Sequence, residues 1–467
     1  MKKLKIFSIE LSIFLLIFVL AIFLRFYNLK GVANFDFDQE YAANFAYAVV
    51  KEFPIQLIGQ GLSIQGLFIG PLYFYYLVPF FMLTNLHPIG GIIGSAVFGL
   101  ITIFAYFFVT KSVFGTKAAL IITFLRSVLF TELGNDWAMA PALQADLPAL
   151  LTWYFFYKYW EGHVKIFPWV GFIFGVYTSL HPILFPFYLV FLFLILLKKR
   201  LPNVKMTIVS FVAFLIPVSP LLVFEYFHNF LEVRRIVELF TGPTLESKGL
   251  SQISSYIRFN LSDPQRILGL EKIPLITFSI LLFVAISLLV KKRVSFWKQK
   301  FHIVILGATY TLFIGYYSLF PAHVPEYYFM ALTTLMILYV GASLSLLLKI
   351  RFGVLILFLV LTNIFLVNFG KLQERWSNTS GIGLYDKDYL VKEIVKRQPE
   401  GSEFYVSYIK YLGWNFGFDY LFKYYGRIPQ TIVAKPPVYT IVLPKTLSPD
   451  SIDLYSRGGG LILPDEK

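Results

Sequence analysis

Eleven apolar runs, most of them near twenty residues long, set the limits on what this chain can fold into. They are 6–27, 88–110, 115–133, 141–159, 166–180, 182–198, 204–226, 273–290, 301–320, 326–348 and 352–369. A helix rises 1.5 Å per residue, so about 20 residues cross the ~30 Å hydrocarbon layer. Lipid offers the backbone no hydrogen bonds, and a helix satisfies its own N–H and C=O groups. The sequence therefore predicts an all-α polytopic membrane protein. The composition agrees, with 57% hydrophobic and only 15% charged residues. The absence of cysteine excludes a disulfide framework and a thiolate metal site. The first run, Ile6 to Phe26, is too long for a signal-peptide core and lacks a small-residue cleavage site, so it is expected to be retained.

The net charge of +14 does not point to nucleic acid, because most Lys and Arg lie in short loops between apolar runs. Lys198 to Arg200, Lys291 to Arg293 with Lys298 and Lys300, and Lys349 with Arg351 mark cytoplasmic loops, as do Lys111 with Lys117 and Lys158 with Lys165. All fall on one side only if the further apolar segment 67–84 does not cross. Its aromatics suit an interfacial helix. The alternative is a crossing segment with Lys111 and Lys117 outside. The preferred topology has eleven crossings, a cytoplasmic N-terminus, external loops at 28–87 and 227–272, and an external tail. The domains are then 1–369 in the membrane and 370–467 as a small extracytoplasmic α/β unit. That unit shows a helical period at Asp388–Lys396, strands at Glu403–Tyr408 and Val438–Leu443, and an aromatic helix near Phe416–Tyr425. Trp414 and the Tyr420–Tyr425 aromatics either stack on sugar or fill its core, and a small α/β unit favours the core.

Asp36, Asp38 and Glu40 stand just beyond the first run in otherwise apolar and aromatic surroundings. Acids beside a bilayer surface are more easily explained by chemistry than by packing. Asp38 and Asp36 are the candidate catalytic carboxylates; in an extended segment both would point to one face. The structural reading is an N-cap for a helix starting near Gln39. Glu40 and Tyr41 are candidate substrate contacts.

Phe35-Asp-Phe-Asp-Gln-Glu-Tyr-Ala42 resembles the Asp-Glu-x-x-Tyr-type signature of GT-C membrane glycosyltransferases, in the group of protein O-mannosyltransferases, aminoarabinose lipid A transferases and RgtA/B/C/D-like proteins. Gly70-Pro-Leu-Tyr-Phe-Tyr-Tyr76 resembles that group's second motif, with Ile69 where a His commonly stands. Val324-Pro-Glu-Tyr-Tyr-Phe329 resembles a later external motif. The resemblance covers roughly residues 1–370 and rests on short motifs taken together. It implies an enzyme that takes a sugar from a polyprenyl-phosphate donor on the outer face. The sugar passes to a protein, lipid or glycan hydroxyl, usually with inversion. It also implies that Asp38 is the catalytic acid and that Tyr327 contacts the donor phosphate. His181 stands where the aminoarabinose branch has a Lys.

A leaving phosphate needs positive groups near the outer surface. Arg234 and Arg235, on an amphipathic stretch opening the second external loop, are candidates, against plain headgroup contact. Arg258 and Arg266 are weaker ones. His181, His228 and His323 are placed to line an outer cavity. Arg126 and Asp146 lie within or near apolar runs, where charges are functional candidates; they either pair with each other or line the donor groove. No cofactor is implied. Asp, Glu and His near one surface leave a divalent cation open, without a tight ligand spacing. The expected setting is a prokaryotic plasma membrane, with membrane lipids as partners. The competing classes are a lipid or glycan transporter, which should show inverted repeats that are not evident, an O-antigen polymerase-like or ligase-like enzyme, and an inactive relative whose tail binds a partner.

Overall fold

The computed structural model describes residues 2–52, 55–62, 64–241, 248–274, 299–320, 324–377, 382–430 and 437–464. Ten of the eleven apolar runs correspond to helices; residues 275–290 of the run 273–290 lie outside the described residues. Six described helices are long and apolar enough to cross a membrane, and a bent pair would make seven. The expected count of eleven is thus not reached on length alone. Leu72–Leu83 has 12 residues, a rise of about 18 Å, well short of the hydrocarbon thickness.

The membrane part is built by helices turning back on one another. Ile89–Phe114 ends at Gly115, whose φ of 84° is the left-handed conformation that glycine adopts freely. Thr116–Val128 then packs back along it. The run 115–133 is not one straight helix. It breaks at the extended residue Leu129, and Phe130–Trp137 leaves at 63°. The break frees backbone donors, and Asn368 Oδ1 takes up the Phe130 N–H at 2.9 Å. The outer surfaces of Val204–Phe227 and Gly353–Ser377 carry exposed Val, Leu, Ile and Phe, as a lipid-facing helix requires.

The C-terminal unit has helices Leu384–Arg397 and Phe418–Tyr424 and four strands: β1 Tyr405–Lys410, β2 Val438–Leu443, β3 Leu454–Tyr455 and β4 Gly460–Ile462. The sheet order is β1-β2-β4-β3. β1 and β2 are parallel, with Tyr405 opposite Val438, and the other two pairs are antiparallel. Ile441, Leu443 and Leu461 are buried with Leu390, Ile394, Phe418 and Leu421. The unit rests on the first loop: Leu384–Arg397 touches Leu29–Val32, and Phe418–Tyr424 touches Phe37–Tyr47.

Candidate functional site

The acidic stretch is helical where an extended segment was one expectation. Helix Phe37–Tyr47 begins at Asp36, its N-cap, whose backbone N–H donates to Gln39 Oε1 at 3.0 Å. Helical geometry turns about 100° per residue, so Asp36 and Glu40 share one face and Asp38 points nearly opposite.

The first face is taken by the C-terminal unit. Asp36 Oδ1 accepts from Lys387 Nζ at 2.7 Å. The Glu40 carboxylate accepts from the backbone N–H groups of Gly417 at 2.8 Å and Tyr420 at 2.9 Å. Burial pushes the Glu40 carboxyl above its usual range, against those two hydrogen bonds. Glu40 is thus engaged by the tail. Tyr41 packs edge-on against Phe74 at 5.1 Å, and burial pushes its hydroxyl up to about 12.

Asp38 faces two cavities of about 510 Å³ each and lines both, as does Phe37. Gln60 Nε2 donates to Asp38 Oδ1 at 2.6 Å. Gln60 sits in a loop doubled back on itself: Gly59 N–H donates to Ile69 O at 2.6 Å and Ile69 N–H to Gln60 O at 3.0 Å. Ile69 stands beside it in the first cavity, where the resembling motif has a His.

The first cavity also holds His181, Tyr327 and Tyr328. His181 lies in the turn between Phe167–Leu180 and Pro186–Lys198, held where Tyr317 OH donates to Ile183 O at 2.9 Å. Burial pushes its imidazole down to about 3, so the ring is neutral. Its Nδ1 accepts the Ile183 N–H at 3.3 Å, which assigns the ring proton to Nε2. The His181 ring lies 6.1 Å from that of Tyr327 and 5.4 Å from that of Tyr328, measured between centroids.

The second cavity brings Asp36 and Asp38 together with Asn34, Asn135 and Arg375. Among the described residues Arg375 is the one permanent cation in either lining. It comes from the end of Gly353–Ser377, and nothing local in its sequence marks it. Gln60 and Lys387 were equally unmarked.

Other sequence candidates lie elsewhere. Arg126 and Asp146 face each other in a buried ion cluster and line neither cavity. Asp146 Oδ1 also accepts from Tyr106 OH and from Thr334 Oγ1 at 2.7 Å. Asp136 bridges Arg126 and Arg25 in the same cluster. Arg234 and Arg235 are exposed on Leu231–Thr241, and Arg235 pairs with Glu238 at 2.7 Å. Arg266 pairs with Asp263. His228 stacks on Phe224 at 3.9 Å. His323 lies outside the described residues. Among the described residues no three His, Asp or Glu side chains come together as a metal would need. Trp414 is only half-buried and Tyr411 beside it is exposed, so these two aromatics are not core; Tyr420 and Phe422 are.

No family model matches the chain, and no curated protein matches it. Solved structures do. ArnT from Cupriavidus metallidurans bound to undecaprenyl phosphate is similar with a TM-score of 0.59, over 96% of this chain and 97% of that one, at 13% identity. The same protein in the apo state gives 0.56 over 99% and 98%, at 10% identity. The Archaeoglobus fulgidus oligosaccharyltransferase in complex with Zn and sulfate gives 0.53 over 93% of this chain and 68% of that one, at 13% identity. At such identities the likeness is one of fold, and the chain has the fold of the GT-C membrane glycosyltransferases.

Proposed function

We propose that the chain is an integral-membrane glycosyltransferase, moving a sugar from a polyprenyl-phosphate donor to a hydroxyl of a protein, lipid or glycan acceptor with inversion. One observation carries the reading: in a GT-C fold, the acid singled out by motif is a half-buried carboxylate, oriented by one amide, where two cavities meet. The lipid phosphate bound in ArnT, a protein of the same fold, supports the donor class.

Inversion requires the acceptor oxygen to approach the anomeric carbon from the side opposite the phosphate. Two cavities meeting at one carboxylate suit that geometry. The phosphate lies on the Tyr327 side, where the tyrosine hydroxyl and the His181 Nε2–H donate to its oxygens. The acceptor enters on the Asn34, Asn135 and Arg375 side. Asp38 takes the proton of the acceptor hydroxyl as the new C–O bond forms. The bond from the anomeric carbon to the phosphate oxygen breaks, and polyprenyl phosphate leaves with the electron pair. Gln60 holds Asp38 in the rotamer that reaches the hydroxyl. The Ile69 side chain has no hydrogen-bond donor, so the side-chain contact to Asp38 comes from Gln60. Arg234 and Arg235, exposed on an amphipathic helix, suit lipid headgroups.

The test is transfer from a panel of radiolabelled polyprenyl-phosphate sugars by purified protein and by Asp38→Asn. Transfer that falls by about 10²–10⁴-fold in the variant is expected. Retained activity would remove Asp38 as the base, and no transfer with any donor would remove the donor class.

A further inference from the structure

Five consecutive residues leading into the Asp38 helix are each held by a hydrogen bond from residues 375–387. Arg375 donates to Val32 O, at 2.8 Å from Nη2 and 3.1 Å from Nε, and to Asn34 Oδ1. The Leu384 N–H donates to Ala33 O at 2.9 Å. Lys387 Nζ donates to Phe35 O and to Asp36 Oδ1, both at 2.7 Å.

The third Lys387 hydrogen bond goes to Phe416 O at 2.7 Å. An ammonium has three donors, so all are placed. The side chain is 1% exposed. Burial draws its proton affinity down and Asp36 draws it back up. A charge buried at such a site is costly unless it is paired and fully hydrogen-bonded, as this one is. Two glycines let the backbones meet. A Cβ on Gly383 would lie 2.6 Å from Ala33 O. One on Gly417, where φ is +91°, would lie 2.4 Å from Phe35 O. The fit between tail and loop is therefore built into both.

We infer that the C-terminal unit is part of the catalytic site, with Lys387 as a positioning residue that fixes Phe35 and Asp36 and thereby sets where Asp38 stands. The inference rests on Asp38 being the base. Pairing Asp36 with Lys387 also leaves Asp38 as the carboxylate with no cation within ion-pair distance among the described residues. Lys387 touches no substrate in this arrangement; it acts through two residues of backbone. A shift of about 1 Å in a reacting group costs on the order of 10²-fold in rate.

The experiment uses the full-length protein in nanodiscs with a polyprenyl-phosphate sugar that the wild type turns over. Lys387→Met keeps the length of the side chain and removes its charge. Its kcat per folded molecule should fall about 100-fold with the donor KM within about threefold, since the Tyr327 side of the site is untouched. Lys387→Arg should retain more activity than Lys387→Met. Asp36→Asn leaves both carbonyl contacts of Lys387 and should lose about tenfold. The double variant should be no worse than Lys387→Met alone, because both changes act through one contact. Hydrogen exchange over 33–41 should quicken in Lys387→Met while β1 and β2 stay protected. Should Lys387→Met fold poorly, Asp36→Asn, outside the core of the tail, carries the kcat measurement. Asp38→Asn alongside separates the two claims. Full activity there removes the base reading whatever Lys387 does. Loss there, with wild-type kcat and wild-type exchange in Lys387→Met, overturns the inference alone.

Discussion

Replacing Asp136 by Asn should unsettle the membrane core more than any change in the cavities. The carboxylate is 1% exposed. Its Oδ2 accepts from Arg25 Nε at 2.7 Å and Arg126 Nη1 at 3.0 Å, and its Oδ1 from Arg126 Nη2 at 2.7 Å. Arg126 keeps Asp146 and, at 3.6 Å, Glu132 when Asp136 is neutralised. Arg25 loses its charged partner and keeps Ala21 O at 3.2 Å, Ser127 O at 3.1 Å and at most the new amide's neutral oxygen. Among the described residues Asp136 is its one carboxylate within ion-pair distance. Removing one partner of a buried pair leaves an uncompensated charge and costs about 3–5 kcal/mol. At about 1.4 kcal/mol per tenfold, that is a loss of roughly a hundredfold to several thousandfold in the folded-to-unfolded ratio. Unfolding by SDS in mixed micelles measures it, and Trp137, whose indole N–H donates to Arg25 O at 2.9 Å, reports from beside the lost pair. Arg25→Met added to Asp136→Asn removes the orphaned cation and should recover at least half of the loss. A midpoint for Asp136→Asn within about 0.5 kcal/mol of wild type would refute the reasoning, as would a double variant worse than the single.

Gln60→Leu removes the donor to Asp38, a hydrogen bond to a charged group worth about 1.5–3 kcal/mol, so kcat should fall about 10- to 100-fold, less than in Asp38→Asn; steady-state transfer kinetics decide. Gly99→Ala would set a methyl carbon 2.3 Å from Asp136 Cγ and should cost about 1–3 kcal/mol by SDS titration, whereas Gly307→Ala, with nothing within 4 Å, should be neutral or slightly stabilising. Glu232 accepts the Phe68 N–H at 2.8 Å, and burial pushes its carboxyl up to about 7, opposed by that hydrogen bond. A carboxyl raised on folding contributes stability below its ordinary range that is lost as pH rises through about 7. Trypsin cleavage at Arg234 and Arg235 should therefore speed up between pH 6 and pH 8 relative to Glu232→Gln at the same pH, and an equal ratio at both would count against it.

Much of the fold was legible because lipid leaves a chain few choices. An apolar run of twenty residues is a helix wherever it sits, and β2 runs over the residues its alternation marks. The break at Leu129 was not legible, since the donor it frees is answered by Asn368, 238 positions away. β3 and β4, of two and three residues, are too short to show a period. In the site, motif and cavity coincide at Asp38, His181 and Tyr327. Gln60, Arg375 and Lys387 came from the structure alone, because a polar residue in a loop or at a helix end looks the same whether it meets water or an aspartate 351 positions away. Arg126 and Asp146, which the sequence reads either as a mutual pair or as part of the donor groove, are buried and paired with each other.

The three acids at 36, 38 and 40 follow one physical rule. At alternate positions in a strand they would share a face, and three like charges there would raise one another's proton affinity. Starting a helix at Phe37 splits them instead. Positions 36 and 40 are one turn apart and meet the tail, which answers them with an ammonium and two backbone N–H groups. Position 38 is turned roughly 200° from 36, toward Gln60 and the cavities. What distinguishes them is the partner: two are occupied by permanent donors from the far end of the chain, and the one given a single neutral amide is left able to accept a proton. A chain that lost its tail would therefore free two more carboxylates beside the first. The expected result is slower transfer, because Asp38 would have lost its fixed position.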